Sequence, residues 1–250
     1  IFGVAVGNVL QGVPFHLTPD LMPIYEGTVA AKFFGLLNPF ALLAGVVSLA
    51  MLVMHGGAWL SLKADGAVRD RARRFGATAA LVAVAAFVLA GLWLAVGIDG
   101  YRLAEPAAVD GPSNPLMSAV ARDQSWLAAY AARPWIAIAP LLGIAGALMA
   151  WRGLKAGRDV STLLWSKLSI FGVIATVGLT MFPFILPSST APDSSLTVWD
   201  SSSSHLTLFV MLVMAVIFVP IILAYTSWVY AVLWGKVTEA EVTENSDSVY

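Results

Sequence analysis

From Leu206 to Trp234 the chain reads LTLFVMLVMAVIFVPIILAYTSWVYAVLW, and none of those residues carries a charge. A helix needs about 20 apolar residues to cross the hydrocarbon of a bilayer. Four more runs meet that requirement: 38–60, 75–98, 134–151 (the shortest) and 162–186. The opening run, 1–14, starts in apolar sequence and reads as a truncated sixth. No run alternates with period 2, as the strands of a membrane barrel must. Only 12% of the residues are charged and 59% are hydrophobic, whereas soluble domains carry roughly a quarter charged. The expected fold is therefore an all-α integral membrane protein. It is a polytopic helix bundle of about five full transmembrane helices plus one truncated at the N-terminus. Residues 1–250 form a single membrane domain that ends in a polar, acidic tail, 235–250.

Lysine and arginine set the orientation, because loops on the cytoplasmic side are enriched in them. Lys63, Arg69, Arg71, Arg73 and Arg74 fill one loop, and Arg152, Lys155 and Arg158 fill another. With Lys167 and Lys236 they place ten of the 14 basic residues on one side. Lys32, Arg102, Arg122 and Arg133 are spread over longer segments on the other. The multi-pass chain is thus expected to keep its basic loops and C-terminus in the cytoplasm. The segments 15–33, 98–133 and 187–205 then face outward.

Several chemistries are weak from composition alone. A net charge of −1 gives no basic face for nucleic acid. With no cysteine there is no disulfide, no thiolate metal site and no redox pair. His16 and His205 fall at outer ends, and His55 lies in VMHGGAWL near a cytoplasmic end. None has a histidine partner at i+3 or i+4, and no acidic residue completes a ligand set. The expectation is no metal, no cofactor and no catalytic residue in this chain. Ionisable groups within membrane spans usually mark function, but Lys167 can snorkel to the surface and Asp99 lies at a boundary. The shortage of relay groups weighs against a fragment of a polytopic transporter or permease, the rival reading. A wet path along Ser166, Ser169, Thr176 and Thr180 stays open.

The remaining signals are structural. Pro39 suits the first turn of a helix that Asn38 can cap. Gly143/Ala147, Gly146/Ala150 and Gly172/Thr176 have the spacing that lets helices approach closely, or are small-residue filler. DGPSNP is a turn cluster, and ARDQSWLAAYAARP suits a short surface helix with Trp126 and Tyr130 at headgroup level. FPFILPSSTAPDSSLTVWDSSSSHLTLF, 182–209, reads as a stiff outer hairpin. Pro183 and Pro187 end or kink the outgoing helix, and Ser203 or Ser204 caps the returning one. Trp199 anchors the hairpin at the interface. Asp200 favours the next helix's dipole by about 0.3–1 kcal/mol.

GNVLQGVPF (7–15), LLNPFALLAGVVS (36–48), GLWLAVGIDGY (91–101) and MFPFILPSSTAPDSSLTVWDSSSSHLTL (181–208) together resemble subunit II of cytochrome bd-type quinol oxidases. FVPIILAYTSWVYAVLWGKVT (218–238) continues the likeness to the tail. The family's subunit II has two to three further helices ahead of IFGVAVGN, so the resemblance implies the C-terminal two-thirds of that subunit. It also implies a complex of the bacterial inner membrane that oxidises quinol and reduces oxygen to water. Haems b and d, and the quinol-oxidising loop, are then expected in subunit I, the partner. This chain becomes a haem-free structural subunit, embedded in lipid, whose outer hairpin contacts that partner. Quinol is then the substrate of the complex, and quinone a ligand of it.

Overall fold

A computed structural model of the chain describes residues 1–105, 113–236 and 238. The described residues form eight α-helices and six short strands. Five of the helices are long and apolar enough to cross a membrane.

Helix α1, Phe2–Gln11, lies along α3, Pro39–Lys63. Ala64 and Asp65 alone separate α3 from α4, Gly66–Gly97, so the two run antiparallel. Gly157 and Arg158 likewise join α6, Ile138–Ala156, to α7, Asp159–Met181. The two helix pairs pack on each other through α4 against α6 and α3 against α7. Met51, Met54, Ala80, Ala147 and Ala150 form the core between them. The last helix, α8 (His205–Val232), continues through Pro220 and buries none of its residues. Its contacts with the bundle include Tyr230 edge-on to Trp59, 5.7 Å between ring centres.

All other elements gather at one end, the cap end. They are β1 (Phe15–Leu17), β2 (Pro23–Tyr25), α2 (Val29–Gly35), β3 (Asp99–Leu103), β4 (Val120–Ser125) and α5 (Ala128–Ala132), with β5 (Phe184–Leu186) and β6 (Leu196–Thr197). Each successive strand pair is antiparallel: β1 with β2, β3 with β4 and β5 with β6. The tight α3–α4 and α6–α7 turns form the opposite, basic end.

Several elements differ from the sequence-based expectation. The basic run Arg69–Arg74 is helix rather than loop, because charge by itself does not stop a helix. It forms the opening turns of α4, which at 32 residues is roughly 48 Å long, well beyond the bilayer core of about 30 Å. α6 likewise extends to Ala156, carrying Arg152 and Lys155 on its last turns. α7 covers 159–181 instead of 162–186. Pro183 has no N–H to continue it, and Phe184–Leu186 leaves as a strand. ARDQSWLAAYAARP is not one surface helix: its first half is β4, and only Ala128–Ala132 is helical. Of the turn cluster DGPSNP, 110–112 lie outside the described residues. So does the tail at 237 and 239–250.

Candidate functional site

The cap end holds most of the residues that sequence singled out. Val13 and Ser188 form a parallel bridge between the exit from α1 and the outer hairpin. Val13 N donates to Pro187 O at 2.9 Å, and Ser189 N to Val13 O at 3.0 Å. The hairpin's hydroxyls then reach across the cap. Ser188 Oγ and Thr190 Oγ1 both donate to Phe15 O, the latter at 2.9 Å. Ser194 Oγ accepts from Leu17 N at 3.1 Å, and Ser195 Oγ accepts from Ser188 N at 2.9 Å. These serines are buried, and their bonds satisfy backbone groups that would otherwise be costly to bury.

Asp193 and Asp200 tie the hairpin to the segment around β4. Asp193 Oδ1 accepts from Val120 N at 2.8 Å. Asp200 is 6% exposed. One carboxylate oxygen accepts from Ser118 Oγ at 2.5 Å, the other from Thr197 N and Ser201 Oγ at 2.9 Å each. The expected service to the α8 dipole is therefore not what occupies this carboxylate. The α8 cap is Ser204, whose Oγ accepts from Thr207 N at 3.4 Å. Pro187 is fully buried, and Pro183 O accepts from Val198 N at 3.0 Å. Trp199 is 39% exposed and packs edge-on against Phe182, 5.7 Å between ring centres.

Beneath the hairpin lies an aromatic cluster of Phe40, Tyr101, Trp126 and Phe184. Trp126 is 4% exposed, so its ring packs inside the cap instead of lying on the surface. Its indole Nε1 donates to Leu10 O at 2.9 Å. Tyr101 OH donates to Gln11 O at 3.3 Å, so both aromatics use carbonyls left free at the end of α1. Gly12 stands against the Tyr101 hydroxyl at φ 86°, a backbone region closed to most side chains. Burial raises the Tyr101 phenol pKa above its ordinary value, with nearby Arg122 opposing. On the cap surface Arg102 grips Asp123 through two bonds of 2.9 and 2.7 Å. That hydrogen bonding lowers the Asp123 pKa.

Asn38 is the hub of a second polar group. Its Oδ1 accepts from Ala41 N at 2.9 Å, capping α3 with Pro39 in the first turn. The same oxygen accepts from Gln11 Nε2 at 2.9 Å, and Asn38 Nδ2 donates to Asn8 Oδ1 at 3.0 Å. Asn8 is buried and passes the connection to Leu36 O at 2.8 Å. Sequence marked Asn38 as a cap, and its links to α1 were invisible there.

The three histidines are far apart in role. His16 Nδ1 lies 3.1 Å from Glu26 Oε1 on the exposed surface. His205 opens α8, and His55 Nδ1 is 2.9 Å from Ser166 Oγ. None of them lines the apolar cavity of about 520 Å3 between α1, α3, α4 and α7. Among the described residues no three His, Asp or Glu side chains gather as a metal group would require. The hydroxyls along which a wet path stayed open each have a partner. Ser166 donates to Leu163 O, Ser169 to Gly143 O and Thr176 to Gly172 O, at 2.7–2.8 Å. Thr180 pairs with Tyr130 OH at 2.9 Å.

Comparison with known proteins accounts for this mixture of apolar helices and a stapled cap. The family model for cytochrome bd terminal oxidase subunit II matches residues 1–233. The chain is 44% identical over 251 aligned residues to the probable cytochrome oxidase subunit 2 of Haemophilus influenzae. It is 41% identical over 251 to the cytochrome bd-I ubiquinol oxidase subunit 2 of Escherichia coli K12. Both alignments cover 100% of this chain and 65% of the relative, so the chain spans just under two-thirds of each relative's length. With helices, loops and hairpin all inside the match, the chain belongs to the cytochrome bd terminal oxidase subunit II family.

Proposed function

We propose that this chain is a haem-free structural subunit II of a bd-type terminal oxidase. The complex couples quinol oxidation to the reduction of oxygen to water in a respiratory chain of the bacterial inner membrane. The family match along residues 1–233 carries this reading. Haems b and d supply the electron transfer and oxygen chemistry, and this reading assigns them to the partner, subunit I. The placement of His16, His55 and His205 supports that assignment, since none of the three lines the apolar cavity of about 520 Å3. This chain's contribution is mechanical. Pro183, Pro187 and Asp200 hold the ends of α7 and α8 through the hairpin, and Trp199 presents an aromatic face toward the partner. The basic end and the tail lie in the cytoplasm.

The test is to purify the complex through a tag on this chain and record reduced-minus-oxidised spectra. Haem b and d bands should co-purify, and His16→Gln, His55→Gln and His205→Gln should each retain them. A complex without those bands, or one stably assembled variant lacking a band, overturns the proposal.

A further inference from the structure

A groove between α4 and α6 at the basic end has two kinds of wall. Its cavity of about 450 Å3 is lined by Arg74 and Lys155 at the rim and by Ala77, Leu81, Val82 and Leu154 farther along the helices. Leu81 and Val82 are exposed, on apolar stretches long enough to lie in hydrocarbon. Trp151 marks the boundary between the two walls, and the Lys155 ammonium sits 4.8 Å from its ring centre. Indole rings prefer the depth where headgroups meet acyl chains.

Part of the rim's charge is also left without an ion pair. Asp159 is already clamped by Arg69 at 2.5 Å and by Arg73, which also lines the groove, at 2.8 Å, and Asp70, one turn before Arg74 on α4, makes no ion pair with it among the described residues. Among the described residues neither Arg74 nor Lys155 meets a carboxylate. Arg74 and Lys155 therefore stand above an apolar track with no carboxylate at ion-pair distance. Basic recesses between membrane helices suit anionic headgroups.

We propose that this groove binds an anionic phospholipid, its phosphate between Arg74 and Lys155 and an acyl chain along Leu81 and Val82. Charge complementarity at the rim and the apolar track below it select a lipid over a free anion. The acidic residues Glu239, Glu241, Glu244 and Asp247 are the competing occupant.

The test uses the full-length protein in its purified complex, stripped of lipid and titrated with phosphatidylglycerol or phosphatidylcholine while bound lipid is counted by native mass spectrometry. Phosphatidylglycerol should bind more tightly than phosphatidylcholine. Arg74→Gln with Lys155→Gln should weaken it by about 25-fold, at roughly fivefold for each cation. Arg74→Gln alone, an exposed change, should show its fivefold share if the double variant does not assemble. Leu81→Trp, which fills the apolar track, should also weaken phosphatidylglycerol binding. Equal binding of the two lipids, or unchanged binding in the charge variants, overturns the proposal. So does displacement of the lipid by excess inorganic phosphate, or binding seen only after residues 239–250 are deleted.

Discussion

Asp200 shows how far a residue's location in sequence can sit from its work in the fold. It stands shortly before α8, yet its carboxylate is occupied by Thr197 N, Ser201 Oγ and Ser118 Oγ. An exposed charge at a helix end contributes about 0.3–1 kcal/mol. A buried hydrogen bond to a charged group is worth about 1.5–3 kcal/mol. Asp200→Ala leaves the buried Ser118 hydroxyl and Thr197 N without this acceptor, so its cost should fall in the higher range. The expected outcome is a complex that assembles poorly but has ordinary turnover per haem, measured as oxygen consumption and haem content of one sample. Full assembly with a severe loss of turnover would place the hairpin in the chemistry instead. Asn38 and Ser204 were legible as caps because each bond joins a residue to one three positions on. Trp126 was not, because the carbonyl it meets lies 116 residues away, and sequence carries no local trace of such a partner.

At the scale of elements, the α6–α7 seam explains the small residues that sequence could only mark as candidates. A Cβ on Gly146 would lie 2.7 Å from Ser169 N, so the two backbones touch where no side chain fits. Ser169 Oγ closes the same seam by donating to Gly143 O at 2.8 Å. Gly146→Leu should separate the helices and cost at least the 1–3 kcal/mol, roughly, of an overpacked core. Ser169→Ala should cost only about 0.6 kcal/mol, the mean for a hydrogen bond between membrane helices. Thermal melting of the purified complex should rank the two variants in that order, and equal effects would refute the close-contact account. The period of small residues was readable in the sequence, but not the neighbour each would meet. The same gap turned Ser169 and Thr176 into candidates for a wet path, when their hydroxyls satisfy helix carbonyls. The strands of the cap were missed for a related reason. Pairs as short as β5 and β6 have too few residues to show a period, and they depend on the surrounding hydroxyls for their place.

For the whole molecule, the cap and the basic turns lie at opposite ends of the same helices, which makes sidedness testable. The chain has no cysteine, so single cysteines can be placed on a clean background. Asp20 and Arg71 are both exposed, one at each end. Asp20→Cys should react with an impermeant thiol reagent added outside the cell, and Arg71→Cys only after the membrane is opened. The reverse pattern would invert the assigned orientation. The staple between the exit from α1 and the hairpin has a further consequence for how the chain is made. Leu17 N and Ser194 Oγ are 177 residues apart, so their bond must wait until all the intervening helices, α2 to α7, have been synthesised. A ribosome that has not yet delivered Ser188 leaves the segment after α1 without its fastening. Closure of the cap therefore records that translation has passed α7, and a prematurely terminated chain shows its incompleteness on the surface where the finished one is sealed.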